Sequence, residues 1–178
     1  IPLNLVGDYA GGSLYLALGV LAGIIEARAS GKGQVVDAAV VDGTASLATT
    51  FFGMHAAGML NPQRGTNMTD SGSHFYDVYE CADGQWLAIG PIESKFYAQL
   101  LQLLEIDLSQ VGSQLDPASW PAAKALFAER FKMRTRDDWA ARLAQTDACA
   151  APGNKTTQLA ARCRRPFRSR RGDQRDHS

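Results

Sequence analysis

The sequence predicts an α/β fold, and three patterns carry that reading. An apolar, helix-forming run at residues 14–28 precedes a β-branched run at 33–41 and a second helical stretch reaching about Gly58. A loop rich in Asn, Pro, Gly, Thr and Ser occupies residues 61–73. Beyond it, residues 75–90 carry a β-hairpin pattern that leads into an amphipathic helix.

Residues 14–28 are good helix formers with almost no polar face, and Ser30-Gly31 supplies the stop. A helix apolar on nearly all sides belongs inside a core. The most apolar part, 14–25, contains Gly19 and Gly23 and falls short of the roughly 20 residues that cross a bilayer. The expectation is therefore a buried helix, with Gly11-Gly12-Ser13 leading into its start. The run Gly33-Gln34-Val35-Val36-Asp37-Ala38-Ala39-Val40-Val41 reads as a buried strand, and Asp42 as the cap of the helix that follows.

In the second half, Phe75-Tyr76-Asp77-Val78-Tyr79-Glu80-Cys81 alternates, Ala82-Asp83-Gly84 is a turn, and Gln85-Trp86-Leu87-Ala88-Ile89-Gly90 is the returning strand. A helix starts near Glu93, and Phe96, Tyr97, Leu100, Leu101 and Leu104 define its apolar face. Further helices are expected at about 118–132 and 136–145. No repeat with a period of 20–50 residues is visible.

The 178 residues are 46% hydrophobic and 20% charged, and 18 basic side chains balance 18 acidic ones. Zero net charge removes the general electrostatic case for nucleic acid or an anionic membrane as partner. The balance hides a split, because residues 155–178 hold eight basic side chains against Asp173 and Asp176, leaving that tail at +6 and the rest at −6. Cys81, Cys149 and Cys163 are odd in number and far apart, which argues against a disulfide framework, and no cluster has metal-ligand spacing. A reducing, cytoplasmic setting is expected. Ile1-Pro2-Leu3-Asn4 has neither a starting Met nor the positive n-region of a signal peptide, so the expectation is also that the beginning of the chain is missing.

Two carboxylates are candidates for chemistry. Asp8 stands three residues before Gly11-Gly12, where orphan amides at a helix start favour an anion; the competing role is plain capping. Glu93, at the turn from strand to helix, either reaches a neighbouring site or complements the helix dipole. Residues 7–13 lack the Lys of a phosphate-binding loop. Asp37 and Asp42 are expected to serve as ion-pair or capping groups, and His55 and His74 to fill satisfied structural roles. Arg64 and Lys95 are basic enough to meet an anion but are most simply solvated.

Three segments together resemble one family. They are residues 6–13 (Val-Gly-Asp-Tyr-Ala-Gly-Gly-Ser), residues 30–43, with the Gly-x-Gly-x-Val-x-Asp-x-Ala pattern from Gly31, and residues 75–84. The chain is similar, over about residues 1–150, to the family III CoA-transferases. Gly7-Asp8 with Gly11-Gly12, and Ile89-Gly90-Pro91-Ile92-Glu93-x-x-Phe96-Tyr97, favour the α-methylacyl-CoA racemase branch. The resemblance implies the later part of a Rossmann-like, CoA-binding large domain at 1–72. It also implies a small α+β domain with a β-hairpin at 73–152.

The implied activity is inversion of the carbon beside the thioester carbonyl of a 2-methylacyl-CoA, by removal and return of a proton through an enolate. Asp8 matches the family's acid/base Asp. Glu93 matches the Glu that supports its catalytic His. Backbone donors at Gly11 and Gly12 would stabilise developing negative charge. The CoA moiety of the substrate is the one cofactor implied, and the partner implied is a second copy, in an interlocked homodimer. The family's His and most of its CoA-binding basic residues lie before the segment matched by Ile1. The likeness ends near Pro152, so that residues 153–178 are expected to be a disordered or frameshifted tail and the chain an inactive fragment on its own. The alternative within the family is a CoA-transferase with Asp8 as nucleophile; outside catalysis, the alternative is an inactive remnant that associates with a complete subunit.

Overall fold

A computed structural model of the chain describes residues 3–153. The basic tail expected at 153–178 thus lies, from residue 154 onward, outside the described residues. The chain mixes helices with a small antiparallel sheet and divides into two units between Pro62 and Gln63.

The first unit begins with a wide, π-helical segment, Leu5–Leu14, that runs directly into α1, Tyr15–Ser30. The wide turn is entered by the Tyr9 amide, which donates to the Asn4 carbonyl at 3.2 Å. Gly31, with φ +74°, ends α1 in the left-handed conformation that glycine adopts without strain. After a stretch without regular structure come α2, Val40–Leu47, and α3, Thr49–Ala56.

Four expectations for this unit are corrected. The helix starts at Leu5 rather than at Leu14, so Gly11 and Gly12 lie within a helical run of 26 residues, Leu5–Ser30, long and apolar enough to span a bilayer. Nor is it a core helix: no residue of α1 is buried, and Leu18, Leu21 and Ile25 are exposed. Residues 33–39 form no regular element and pair with no strand among the described residues, with Val35 94% exposed, because a β-branched run becomes a strand only against a partner. Val36 instead sits on α1, where a Cβ on Gly19 would come within 2.6 Å of its Cγ1. Finally, the helix over 42–58 begins at Val40, without an Asp42 cap, and is broken into α2 and α3 at Ala48.

Glycine explains how the π-helical segment and α2 meet. Gly11, Gly12 and Gly43 are the buried residues of these two elements, and a Cβ on Gly11 would approach the Thr44 amide nitrogen to 2.8 Å. The helices therefore touch main chain to main chain. The Tyr15 hydroxyl and the Ser46 hydroxyl share a further hydrogen bond, at 2.8 Å.

The second unit contains the hairpin as expected. Strand β1, Asp77–Glu80, pairs antiparallel with β2, Trp86–Ile89, in the register Tyr79 opposite Leu87 and Asp77 opposite Ile89. Tyr79, Leu87 and Ile89 point inward, while Val78 and Trp86 are exposed. Gly84, at φ +67°, closes the turn and donates its N–H to the Cys81 carbonyl at 3.0 Å. A third strand, β3 (Ala150–Pro152), lies on the other side of β2.

Helices complete the unit: α4 (Ser94–Leu103), the short α5 (Leu108–Val111), α6 (Trp120–Phe131) and α7 (Arg136–Leu143). They cover the core through Tyr97, Leu100 and Leu101 of α4, Val111 of α5, Trp120, Phe127 and Phe131 of α6, and Trp139 and Leu143 of α7. The aromatic rings interlock, with Tyr79 stacked on Phe131 at 5.0 Å and Trp139 edge-on to Phe131 at 5.5 Å.

Candidate active site

Asp8 stands in the first turn of the π-helical segment, and its side chain is exposed. It is not a cap, since the position before the helix belongs to Asn4, and its carboxylate has no hydrogen-bond or ion-pair partner among the described residues. Its carbonyl accepts a hydrogen bond from the Ser13 hydroxyl at 3.0 Å. The expected helix start at Gly11-Gly12 is absent. Those glycines are inside the helical run and serve the close approach of α2.

Glu93 occupies the position just before α4 with an extended backbone, φ −70° and ψ 134°. Its carbonyl accepts the Phe96 and Tyr97 amides, each at 3.0 Å. Its exposed carboxylate makes no capping bond and has no hydrogen-bond or ion-pair partner among the described residues. A carboxylate that does not close its own helix is free to face something else.

The turn that presents Glu93 is held from two sides. The Gly90 amide donates to the Cys149 carbonyl at 2.9 Å, and the Ile92 amide donates back to the Gly90 carbonyl at 3.0 Å. The Gln114 side-chain amide donates to the Pro91 and Ile92 carbonyls, both at 3.0 Å. Cys149 has φ +48°, and its thiol is pushed up by burial and then by the charges of Glu93 and Asp147. An open groove of about 530 Å³ borders this region, between Tyr76, Asp77 and Val78 on one side and Gly90, Cys149 and Ala150 on the other.

Of the other polar residues, His74 is fully buried, with its Nε2 sharing a 2.7 Å hydrogen bond with the Tyr97 hydroxyl and its Nδ1 without a partner among the described residues. The structural role expected for it is therefore only half satisfied. Burial, with Lys124 adding a smaller repulsion, lowers its pKa to about 4. Lys124 pairs with Asp77 at 2.7 Å and also reaches the Ser71 carbonyl. Among the described residues Asp37 and Asp42 form neither the ion pair nor the cap expected, and both are exposed, as are His55 and Arg64. Lys95 lies over the Phe96 ring at 4.5 Å. Asp8, Gly11 and Gly12 fall in the first unit and Glu93 in the second. Gln114 gave no signal in the sequence, because a side chain that bonds main-chain carbonyls leaves no motif.

The fold is that of the CaiB/BaiF proteins. The chain is similar to a crystal structure of a CAIB/BAIF family protein from Brucella suis, with a TM-score of 0.60 and 26% identity over 85% of this chain and 41% of that one. A hypothetical protein from Mycobacterium tuberculosis shares the fold, with a TM-score of 0.67 and 24% identity over 90% of this chain and 42% of that one. The model of CoA-transferase family III matches residues 2–169, and the chain belongs to that family. The match runs past Pro152 into the Arg-rich segment.

Among curated relatives, the chain is 40% identical to an alpha-methylacyl-CoA racemase of Mus musculus and 38% identical to one of Homo sapiens, each over 151 residues. It is 31% identical over 153 residues to a CaiB/baiF CoA-transferase family protein of Caenorhabditis elegans. These alignments cover 85% of the chain, and the chain spans about two-fifths of the length of each relative.

Proposed function

We propose that the chain supplies Asp8 and Glu93 to a racemase that inverts the α-carbon of 2-methylacyl-CoA thioesters. The observation that carries this reading is the identity of 40% and 38% to two proteins named alpha-methylacyl-CoA racemase. Asp8 exchanges a proton at one face of the α-carbon, the thioester carbonyl takes up the charge as an enolate, and a proton returns at the opposite face. Glu93 orients the imidazole that works on that opposite face. The buried His74, bound to Tyr97, is not that imidazole. The free state of both carboxylates supports the assignment, since neither is consumed in capping.

The apolar surface of Leu5–Ser30 fits the same reading as the seat of a second copy of the chain, in an interlocked dimer, rather than as a membrane anchor. No cofactor beyond the CoA moiety is required, and the setting is the cytoplasm. Light scattering across a range of concentrations tests the dimer, and flotation with phosphatidylcholine vesicles tests the anchor.

Joining the chain to a segment that supplies the imidazole of the opposite face, and incubating the product with a 2-methylacyl-CoA in D2O, tests the activity. Deuterium entering the α-position together with loss of optical purity is the expected result; neither occurring overturns the proposal. The relative of Caenorhabditis elegans favours a second reading, CoA transfer, in which the Asp8 carboxylate attacks the thioester carbonyl. The C–S bond then breaks, CoA leaves as its thiolate, and an acyl anhydride remains on Asp8. Hydroxylamine trapping of that anhydride distinguishes the two.

A further inference from the structure

We propose that Gln114 is a positioning residue for Glu93, its side-chain amide clamping the turn on which that carboxylate stands. The inference rests on the role given to Glu93 above and adds what holds Glu93 in place. A carboxylate without a partner is aimed by its own backbone, and the Glu93 backbone is fixed by the helix after it and the turn before it. The helix side is secured by the buried Tyr97, Leu100 and Leu101 of α4. The turn side has few handles. Pro91 has no N–H, and the Ile92 N–H is spent on the Gly90 carbonyl. The Pro91 and Ile92 carbonyls remain, and the two hydrogens of one amide nitrogen match them, at 3.0 Å each.

Gln114 comes from 22 and 23 residues further along the chain, so the clamp is tertiary rather than part of the turn. Its own main chain is anchored in turn. The indole N–H of the buried Trp120 donates to the Gln114 carbonyl at 2.8 Å, and the Ser119 hydroxyl donates to the Ser113 carbonyl at 2.9 Å. Order therefore passes outward from the core, through Trp120 and Gln114, to the turn and then to Glu93.

Gln114→Met in the full chain keeps the side-chain length and removes both donors. Amide hydrogen exchange at Phe96 and Tyr97, whose N–H groups bond the Glu93 carbonyl, is expected to speed up about 10-fold, the worth of one or two net hydrogen bonds. Exchange at Phe127 in the core stays as it was. Unchanged exchange at Phe96 and Tyr97 overturns the clamp, whatever the activity. In the α-proton exchange assay, kcat is expected to fall about 10-fold at constant KM, as loss of a supporting partner commonly does. That loss should vanish in a Glu93→Gln background, because a residue that acts only through the carboxylate costs nothing once the carboxylate is gone. A full loss in that background overturns the positioning role. Absence of α-proton exchange in the wild-type chain joined to a segment that supplies the imidazole overturns the racemase reading instead, and accelerated amides at Phe96 and Tyr97 then still support the clamp. If Gln114→Met does not fold, Gln114→Asn, one methylene shorter with its donors kept, gives the same readouts with the same interpretation.

Discussion

Gly43 of α2 lies against the main chain of Gly11, so that a Cβ added to Gly43 would reach within 2.7 Å of the Gly11 carbonyl carbon and nearer still to its oxygen. Backbone cannot yield as a side chain does. Gly43→Ala is therefore expected to destabilise the first unit by about 3 kcal/mol, at the high end of overpacking costs. Gly12→Ala meets the Val40 Cγ2 at 3.0 Å and the Gly7 carbonyl oxygen only at an ordinary 3.6 Å, and alanine's better helix propensity offsets much of the strain. That variant should stay within about 1 kcal/mol of wild type. Urea unfolding followed by circular dichroism gives the comparison, and equal losses at the two positions would contradict the contact.

These glycines also show where sequence reading stopped. Gly11-Gly12-Ser13 reads as the lead-in to a helix that starts at Leu14; only the partner helix reveals that glycine is needed there for close approach. The hairpin was legible because alternation at Tyr79, Leu87 and Ile89 and the Asp83-Gly84 turn are local signals. Strand β3 was not, since Ala-Ala-Pro has no strand pattern and is a strand only through pairing with β2. Residues 33–39 fail in the opposite sense, having the composition of a strand and no strand beside them among the described residues. For the site, the places of Asp8 and Glu93 at helix starts make them candidates and the family resemblance gives them their roles, whereas the half-satisfied His74 and the Gln114 clamp depend on tertiary contacts that one sequence does not display.

His74 makes the second unit sensitive to acid. Its pKa is about 4 when folded against 6.5 as the ordinary value, so between those limits the unfolded chain binds more protons than the folded one. Stability is then full above pH 6.5 and lost as pH falls toward 4, by about 3 kcal/mol in all. Tryptophan fluorescence reports this unit alone, because Trp86, Trp120 and Trp139 all lie in it. His74→Gln should flatten the dependence across that window, whatever it does to stability at neutral pH.

Lys124 links that sensitivity to an ion pair. Lys124→Met leaves Asp77, which is only 14% exposed, without its counter-charge, and should cost about 1 kcal/mol at pH 7. It also removes the repulsion that depresses the His74 pKa, though not the larger effect of burial. The lower edge of the acid window should therefore move up slightly and the total loss on acidification shrink. A His74 pKa that does not rise in this variant, followed by the NMR shifts of its ring protons, would show that the charge of Lys124 does not reach it.

Asp8 and Glu93 differ in the chemistry proposed for them, and their variants should differ accordingly. Asp8→Asn keeps size and hydrogen-bonding capacity but cannot carry the α-proton, and should slow racemisation by at least ~100-fold, the low end for a general acid/base. Glu93→Gln only weakens the orientation of an imidazole and should slow it less, with a changed pH–rate profile. Neither carboxylate has a hydrogen bond or ion pair to lose among the described residues, so thermal unfolding should stay the same in both variants. A stability loss in Asp8→Asn would reinstate a structural role for that carboxylate, and a Glu93→Gln chain with unaltered rate and pH profile would remove Glu93 from the reaction. If Asp8→Asn abolishes hydroxylamine-trapped acyl adduct instead of α-proton exchange, Asp8 is a nucleophile and the chain serves CoA transfer.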